Sequence, residues 1–323
     1  MNYREGESGL NETKPLRISY FPHIRDKAST SRIMLDVCIA LLPAAAFGIY
    51  NFGISSLLLI LICIGTCLLS EYLWTRAMRS RTTLRDMSAV VTGLILALNL
   101  PPHLPWWMAM LGSVFAIIVV KMLFGGLGQN FLNPAACAKC FLMISFAGRM
   151  NAFVYDGIAS TTPMDVLNAG GNVDLLQMFL GNTSGCIGET SAAALLIGAV
   201  YLFIRRIIDF RIPLFYLLSF AVYVSVYSML TRGGIDETFL AAHLLSGGLL
   251  MGAFFMATDY VTTPVSPSGR VIYAAVLGIL TASFRLFGNA TGSVCYAILL
   301  GNLLAPLIER ITRRRSFGKG AHF

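Results

Sequence analysis

Apolar stretches long enough to matter for a bilayer recur along nearly the whole chain. Ten can be read, at roughly residues 33–50, 54–72, 88–100, 106–124, 134–148, 190–205, 213–230, 240–257, 270–284 and 292–308. Inside hydrocarbon a backbone must satisfy its own N–H and C=O groups, so such runs are predicted to be helices. An outer-membrane barrel would instead show short segments alternating apolar and polar, and none is visible. Composition agrees: the chain is 56% hydrophobic and only 12% charged, where a soluble domain carries about 25% charged residues. The predicted class is an all-α polytopic membrane protein of about ten helices. Several runs are short for a full crossing, and Gly or Pro interrupts their ends. Helices broken in this way line a cavity rather than lipid.

The net charge of +8 does not call for nucleic acid, because the basic residues collect at helix ends. Arg4, Lys14, Arg17 and Arg25 precede the first run, and Arg76, Arg79, Arg81 and Arg85 follow the second. Arg205, Arg206 and Arg211 follow the sixth, and Arg310, Arg313, Arg314 and Arg315 end the chain. With ten spans all four groups fall on one side, which the positive-inside rule makes cytoplasmic. Both termini are then expected on the cytoplasmic side of the cell membrane, with the loop at 149–189 outside it. That loop has Arg149 against Asp156, Asp165, Asp174 and Glu189. The first 31 residues hold no apolar core of a signal peptide. The expected organisation is a tail (1–31), a first membrane repeat (32–148), the outer loop (149–189), a second repeat (190–309) and a basic tail (310–323). Seven cysteines, an odd number placed mostly in apolar runs, argue against a disulfide framework.

The repeat rests on a constant offset. Pro101 in "LNLPP" and Pro264 in "DYVTTP" are 163 residues apart, as are Gly125 in "MLFGG" and Gly288 in "RLFGN". Five helices per half is an odd number, so the halves are expected to be inverted, with broken helices and bound groups at their interface.

Four places could carry chemistry. "YDGIASTTPMDVL", residues 155–167, is a threonine-rich patch in an oily chain. It reads either as a solvated loop with Pro163 starting a short helix, or as an exposed threonine offered for a phosphoester with FMN. "GGLGQNFLNPAACAKC", residues 125–140, places Asn133-Pro134 as the cap and first turn of the fifth helix. Free N–H groups there could face a flavin carbonyl or an anion, or the stretch is a re-entrant turn. Its Cys137 and Cys140 read as packing residues, or as half of a cluster shared with another subunit. Asp259 in "FFMATDYVTTPVSPSGR" ends a span, as a helix-end cap or as a contact for a cation or flavin ring. Asp36, Lys121 and Arg285 are lone charges near spans; the last two fall one residue apart in the two repeats, which points to a shared structural role. No nucleotide-binding glycine motif and no haem-spaced histidine pair occurs, so neither ATP hydrolysis nor NAD binding by the chain itself is expected.

Together "SAVVTGLILALNLPPHLPWW", "LFGGLGQNFLNPAA", "FFMATDYVTTPVSPSGR" and "YAILLGNLLAPLIER" resemble the D subunit of the Rnf ion-translocating electron-transport complex. They also resemble its relative, the B subunit of the sodium-translocating NADH:quinone reductase. The likeness covers Arg32 to Arg310, and the chain length favours the Rnf protein. In that family FMN is joined through its phosphate to the last threonine of D-G-x-S-G-A-T. Laid on this chain, the pattern matches at Asp156, Gly157 and Thr162 and departs at Ala159, Ser160 and Thr161. Thr162 is therefore the implied FMN site and Thr161 the alternative register. The resemblance further implies a flavin transferase acting outside the membrane, partner subunits holding the ferredoxin, NAD and iron–sulfur sites, and coupling to Na⁺ or H⁺. A second, non-covalent flavin such as riboflavin would have the Asn133 turn and the Asp259 segment as candidate lining. Near residues 287–292 the family often has a glutamate that this chain lacks. The competing expectations are a small-solute transporter of inverted-repeat type without flavin, and a scaffold subunit.

Overall fold

The computed structural model describes residues 29–79, 83–155, 158–159, 162–168, 171, 173–234, 236–246, 248–288 and 292–312. The helices are α1 (Thr30–Phe52), α2 (Ile54–Ala77), α3 (Ser88–Leu98), α4 (Trp106–Val114, continued by a π-helix Phe115–Met122) and α5 (Pro134–Ser145). The central loop contributes α6 (Ala147–Met150), the two-residue strands β1 (Val154–Tyr155) and β2 (Ile158–Ala159), α7 (Pro163–Asn168) and α8 (Leu175–Leu180). The second half has α9 (Ala192–Ile204), α10 (Arg211–Arg232), α11 (Glu237–Leu245), α12 (Leu249–Met251, continued by a π-helix Gly252–Met256), α13 (Pro267–Phe287) and α14 (Ser293–Thr312).

All ten apolar runs are helical, but they are not ten full crossings. Among the described residues five helices (α1, α2, α10, α13 and α14) are long and apolar enough to span, and six if the bent pair α11–α12 counts as one. The 11 residues of α3 rise only about 16 Å, roughly half of a 30 Å hydrocarbon core. α5 and α9 are similarly short. For α3 the physical reason is that it ends inside the protein, where other chain satisfies its last carbonyls.

Where that happens is visible at α3. Its terminal carbonyls are met by the loop preceding α9: Gly188 N–H donates to Leu98 O at 2.8 Å and Ile187 N–H to Leu100 O at 3.1 Å. Carbonyls left over at a helix end are thus paired without water. Gly188 is needed for the approach, since a Cβ there would lie 2.6 Å from the Leu98 Cβ. The ends of α3 and α12 also meet, with Asn99 Nδ2 3.6 Å from Met256 Sδ.

The halves are inverted. The 163-residue offset carries α1 onto α9, α2 onto α10, α3 onto α12, α4 onto α13 and α5 onto α14. Helix α1 packs on α9 and α5 on α14, so equivalent helices touch across the interface of the halves. They run antiparallel: Asp36 near the start of α1 holds Arg205, just past the end of α9, at 3.0 Å. On α10 the sorting of faces is clear. Leu214, Leu218, Val222 and Val226 are exposed, while Tyr216, Phe220 and Val224 are buried. The four-residue spacing within each set puts them on opposite faces. The buried face meets α13 at Gly278, where a Cβ would strike Ser219 Oγ and the Tyr216 carbonyl.

Contacts also gather the basic segments at one end of the molecule. Ser31 Oγ at the start of α1 donates to Arg85 O at 3.0 Å. Arg270 in α13 binds Asp209 between α9 and α10 at 2.9 Å, and Ser266 pairs with Thr312 at the end of α14 at 2.7 Å. At the opposite end Asn51 Nδ2, finishing α1, donates to Gly181 O beyond α8 at 3.1 Å. The tails 1–28 and 313–323 lie outside the described residues.

Candidate functional site

Helix α5 connects two cavities. Asn133 caps it as expected: its Oδ1 accepts from the N–H groups of Ala135 and Ala136 at 3.1 and 3.2 Å, with Pro134 in the first turn. From Asn133 to Met143 the helix rises about 15 Å. Asn133 lines the cavity toward the basic end, and Met143 lines the cavity toward the opposite end. The predicted site residues are therefore divided: Asn133 and Asp259 come together in the first cavity, and Thr162 stands at the second. Asp156, Gly157 and Thr161 lie outside the described residues.

Thr162 precedes Pro163, and its carbonyl accepts from Val166 N–H at 3.1 Å, so it opens α7. The sequence suggests an exposed threonine. Instead Thr162 is 8% exposed and lines the cavity. The space there, open solvent at its mouth included, is about 680 Å³. Its wall carries the hydroxyls of Thr190 and Ser246, both buried and neither with a hydrogen-bond partner among the described residues. Buried hydroxyls without partners are costly, and these two are able to hydrogen-bond a polar group in the cavity.

Deeper in the same cavity Lys139 Nζ is 2.6 Å from Glu189 Oε1, with the side chains only 6% and 12% exposed. Lys139 also donates to Asn99 Oδ1 at 3.2 Å, at the end of α3. A cation is favoured there by the negative end of the helix dipole. Gly248, with φ +67°, makes room at the α11–α12 break, where a Cβ would strike Glu189 Oε1. The polar line continues toward the other cavity: Asn133 Nδ2 donates to Met256 O at 3.1 Å. Tyr273 and Asn302 lie 2.8 Å apart beside it.

The cavity at the basic end joins the Asn133 turn to the Asp259 segment, as the sequence suggests. Asp259 organises its own turn, accepting from Val261 N–H at 3.3 Å and from Thr262 Oγ1 at 3.4 Å. Lys121 lines the same cavity and is paired: Nζ is 2.8 Å from Glu71 Oε2 and 2.7 Å from Ser88 Oγ. Thr83 Oγ1 donates to the other carboxylate oxygen. Asp36 is likewise paired, with Arg205 and with Tyr201 OH at 2.9 Å. All seven cysteines are free thiols. Among the described residues no group of three or more His, Cys, Asp or Glu is placed to hold a metal ion.

Sequence reading missed Glu71 and the role of Lys139 and Glu189. The signal was present: Glu71 and Lys139 are charges inside apolar runs, and such charges are costly unless paired. Glu189 read as one more acid in a loop, because only folding turns that loop inward.

Known proteins share this sequence over its length. The pattern of the NQR2, RnfD, RnfE family matches residues 17–318. The chain belongs to this family. It is 45% identical to the D subunit of the Na⁺-translocating ferredoxin:NAD⁺ oxidoreductase complex of Acetobacterium woodii, over 96% of this chain and 97% of that one. It is 39% identical to the D subunit of the proton-translocating ferredoxin:NAD⁺ oxidoreductase complex of Clostridium ljungdahlii, over 93% and 96%. It is 35% identical to the D subunit of the ion-translocating oxidoreductase complex of Escherichia coli strain K12, over 94% and 98%. As a member of the NQR2, RnfD, RnfE family the chain is a multi-pass membrane protein, and its relatives are named as subunits of ion-translocating oxidoreductase complexes.

Proposed function

We propose that this chain is the membrane redox subunit of an Rnf-type ferredoxin:NAD⁺ oxidoreductase, carrying electrons through FMN joined by a phosphoester to Thr162. The observation that carries the reading is the position of Thr162, lining a cavity with two hydroxyls that are unpartnered among the described residues and a buried ion pair. FMN supplies one- and two-electron chemistry; the protein supplies position and electrostatics. Thr162 is an anchor rather than an acid or base. Its burial means that the transferase acts while the loop is open. The cavity joining Asn133 and Asp259 is the candidate for a second, non-covalent flavin such as riboflavin, at the other end of α5. Partner subunits would hold the ferredoxin and NAD sites, and the names of the relatives support membership of such a complex. The coupled ion is Na⁺ or H⁺, and the relatives' names divide between the two. The gathering of basic segments supports a cytoplasmic-membrane orientation with that end inside and the Thr162 loop outside.

The test is peptide mass spectrometry on the chain purified from its own membrane, beside Thr162→Ala and Thr161→Ala. The expected result is a peptide spanning 155–167 heavier by one FMN less water, lost only in Thr162→Ala. An unmodified wild-type peptide from a host with an active flavin transferase would overturn the reading and return the transporter and scaffold readings to the front.

A further inference from the structure

The Thr162 cavity contains more than an anchor needs. Its deep wall is the Lys139–Glu189 pair, 2.6 Å apart and drawn from α5 and from the loop that re-enters ahead of α9. Beside the pair are the hydroxyls of Thr190 and Ser246, 5% and 6% exposed and without partners among the described residues. These groups come from three separate stretches of chain and converge on one space. An ion pair this buried costs several kcal/mol per ion to desolvate, so stability alone is a weak reason to keep it facing an open cavity.

We infer that Lys139, Glu189, Thr190 and Ser246 form the polar seat for the redox ring of the group carried on Thr162, and that the Lys139–Glu189 pair sets the potential of that ring. The inference rests on the Thr162 reading above. The donor set suits the chemistry. A flavin ring offers carbonyl acceptors and an N–H donor along one edge. Lys139 and the two hydroxyls can donate, and Glu189 accepts. Reduction places negative charge on the ring, so an ammonium nearby favours the reduced form and a carboxylate nearby disfavours it. Both side chains are largely buried, so neither effect is well screened. Lys139 is held by Asn99 and by the α3 dipole, and Glu189 by the space that Gly248 leaves. The two charges are therefore fixed in place. They are positioning residues; nothing is transferred to them.

The experiment is a spectroelectrochemical titration of the covalent flavin in the whole complex purified from membranes. Peptide mass spectrometry on the same samples reports whether attachment is intact. Lys139→Gln leaves the carboxylate unbalanced and is expected to lower the midpoint potential; Glu189→Gln leaves the ammonium and is expected to raise it. Shifts of opposite sign with attachment retained would support the seat. Unchanged potentials, or shifts of the same sign, would overturn it while leaving the Thr162 reading intact, because the modified peptide is still found. Thr190→Val keeps shape and charge and guards against loss of folding. It is expected to shift the flavin absorption band by removing one hydrogen bond, and an unshifted band with flavin attached overturns the hydroxyl part of the seat. Wild-type peptide without flavin would overturn the Thr162 reading, and the inference with it.

Discussion

Lys121 and Arg285 do the same structural work in the two inverted halves by different means. Each is almost fully buried, and each holds the chain at the start of its half's discontinuous helix. Lys121 donates to Ser88 Oγ, the first residue of α3, and pairs with Glu71. Arg285 donates to the carbonyls of His243 and Ser246, just ahead of α12. One half pairs its cation with a carboxylate, and the other hydrogen-bonds its cation to carbonyls at the end of α11.

Removing one member of the first pair leaves a buried, uncompensated charge. Lys121→Met is expected to destabilise the protein by about 3–5 kcal/mol. Lys121→Met combined with Glu71→Leu is expected to recover most of that loss, since an apolar pair of similar size needs no desolvation. Thermal unfolding of the purified protein in detergent distinguishes them; equal losses in single and double variants would refute the explanation.

Gly188 lets the loop dock on α3. Gly188→Val would place a side chain against Leu98 and is expected to cost about 1–3 kcal/mol through overpacking. The two backbone hydrogen bonds to α3 would be lost with it. Limited proteolysis should then cut within residues 149–189 at protease levels that leave the wild type whole.

At Asn133 two functions can be separated. Asn133→Ala is expected to cost about 1 kcal/mol for the cap and to lose the bond to the Met256 carbonyl as well. Asn133→Ser keeps the cap but cannot reach Met256. If Asn133→Ser melts with the wild type, the bond to Met256 contributes nothing measurable.

The loop between α9 and α10 carries a pH dependence. Burial works against ionisation of Asp209, but the Arg211 N–H and the Arg270 guanidinium outweigh it and hold the carboxyl below its usual range. A carboxyl depressed in the folded state contributes stability above its unfolded value and loses it as pH falls through the folded one. Stability should therefore hold from neutral pH down to about pH 4 and drop below that. Arg270→Gln should shrink the acid-dependent part of the melting curve while leaving its shape at neutral pH; an unchanged acid limb would count against the pairing.

The helices were legible because their signal is local. A run such as 54–72 has no other stable state in hydrocarbon, and the Asn133-Pro134 and Pro163 starts are set by capping chemistry within three residues. The inverted repeat was legible from Pro101 and Pro264, because broken helices leave prolines at corresponding places. The count of full crossings was not. Nothing in residues 88–98 states that α3 stops halfway, since its partner for the last carbonyls is Gly188, 90 residues away.

The sequence by itself determined the class of the molecule, its halves, the ends where its basic residues collect and the membership that its motifs declare. Apolar period, caps and charge at helix ends are all properties of neighbouring residues. Only the tertiary structure decided that Thr162 is buried at a cavity, that Asn133 and Asp259 share another, and that Lys139 meets Glu189 between α3 and α12. A buried charge requires its counter-charge within a few ångströms, and in this chain the counter-charge is 50 residues distant along the sequence.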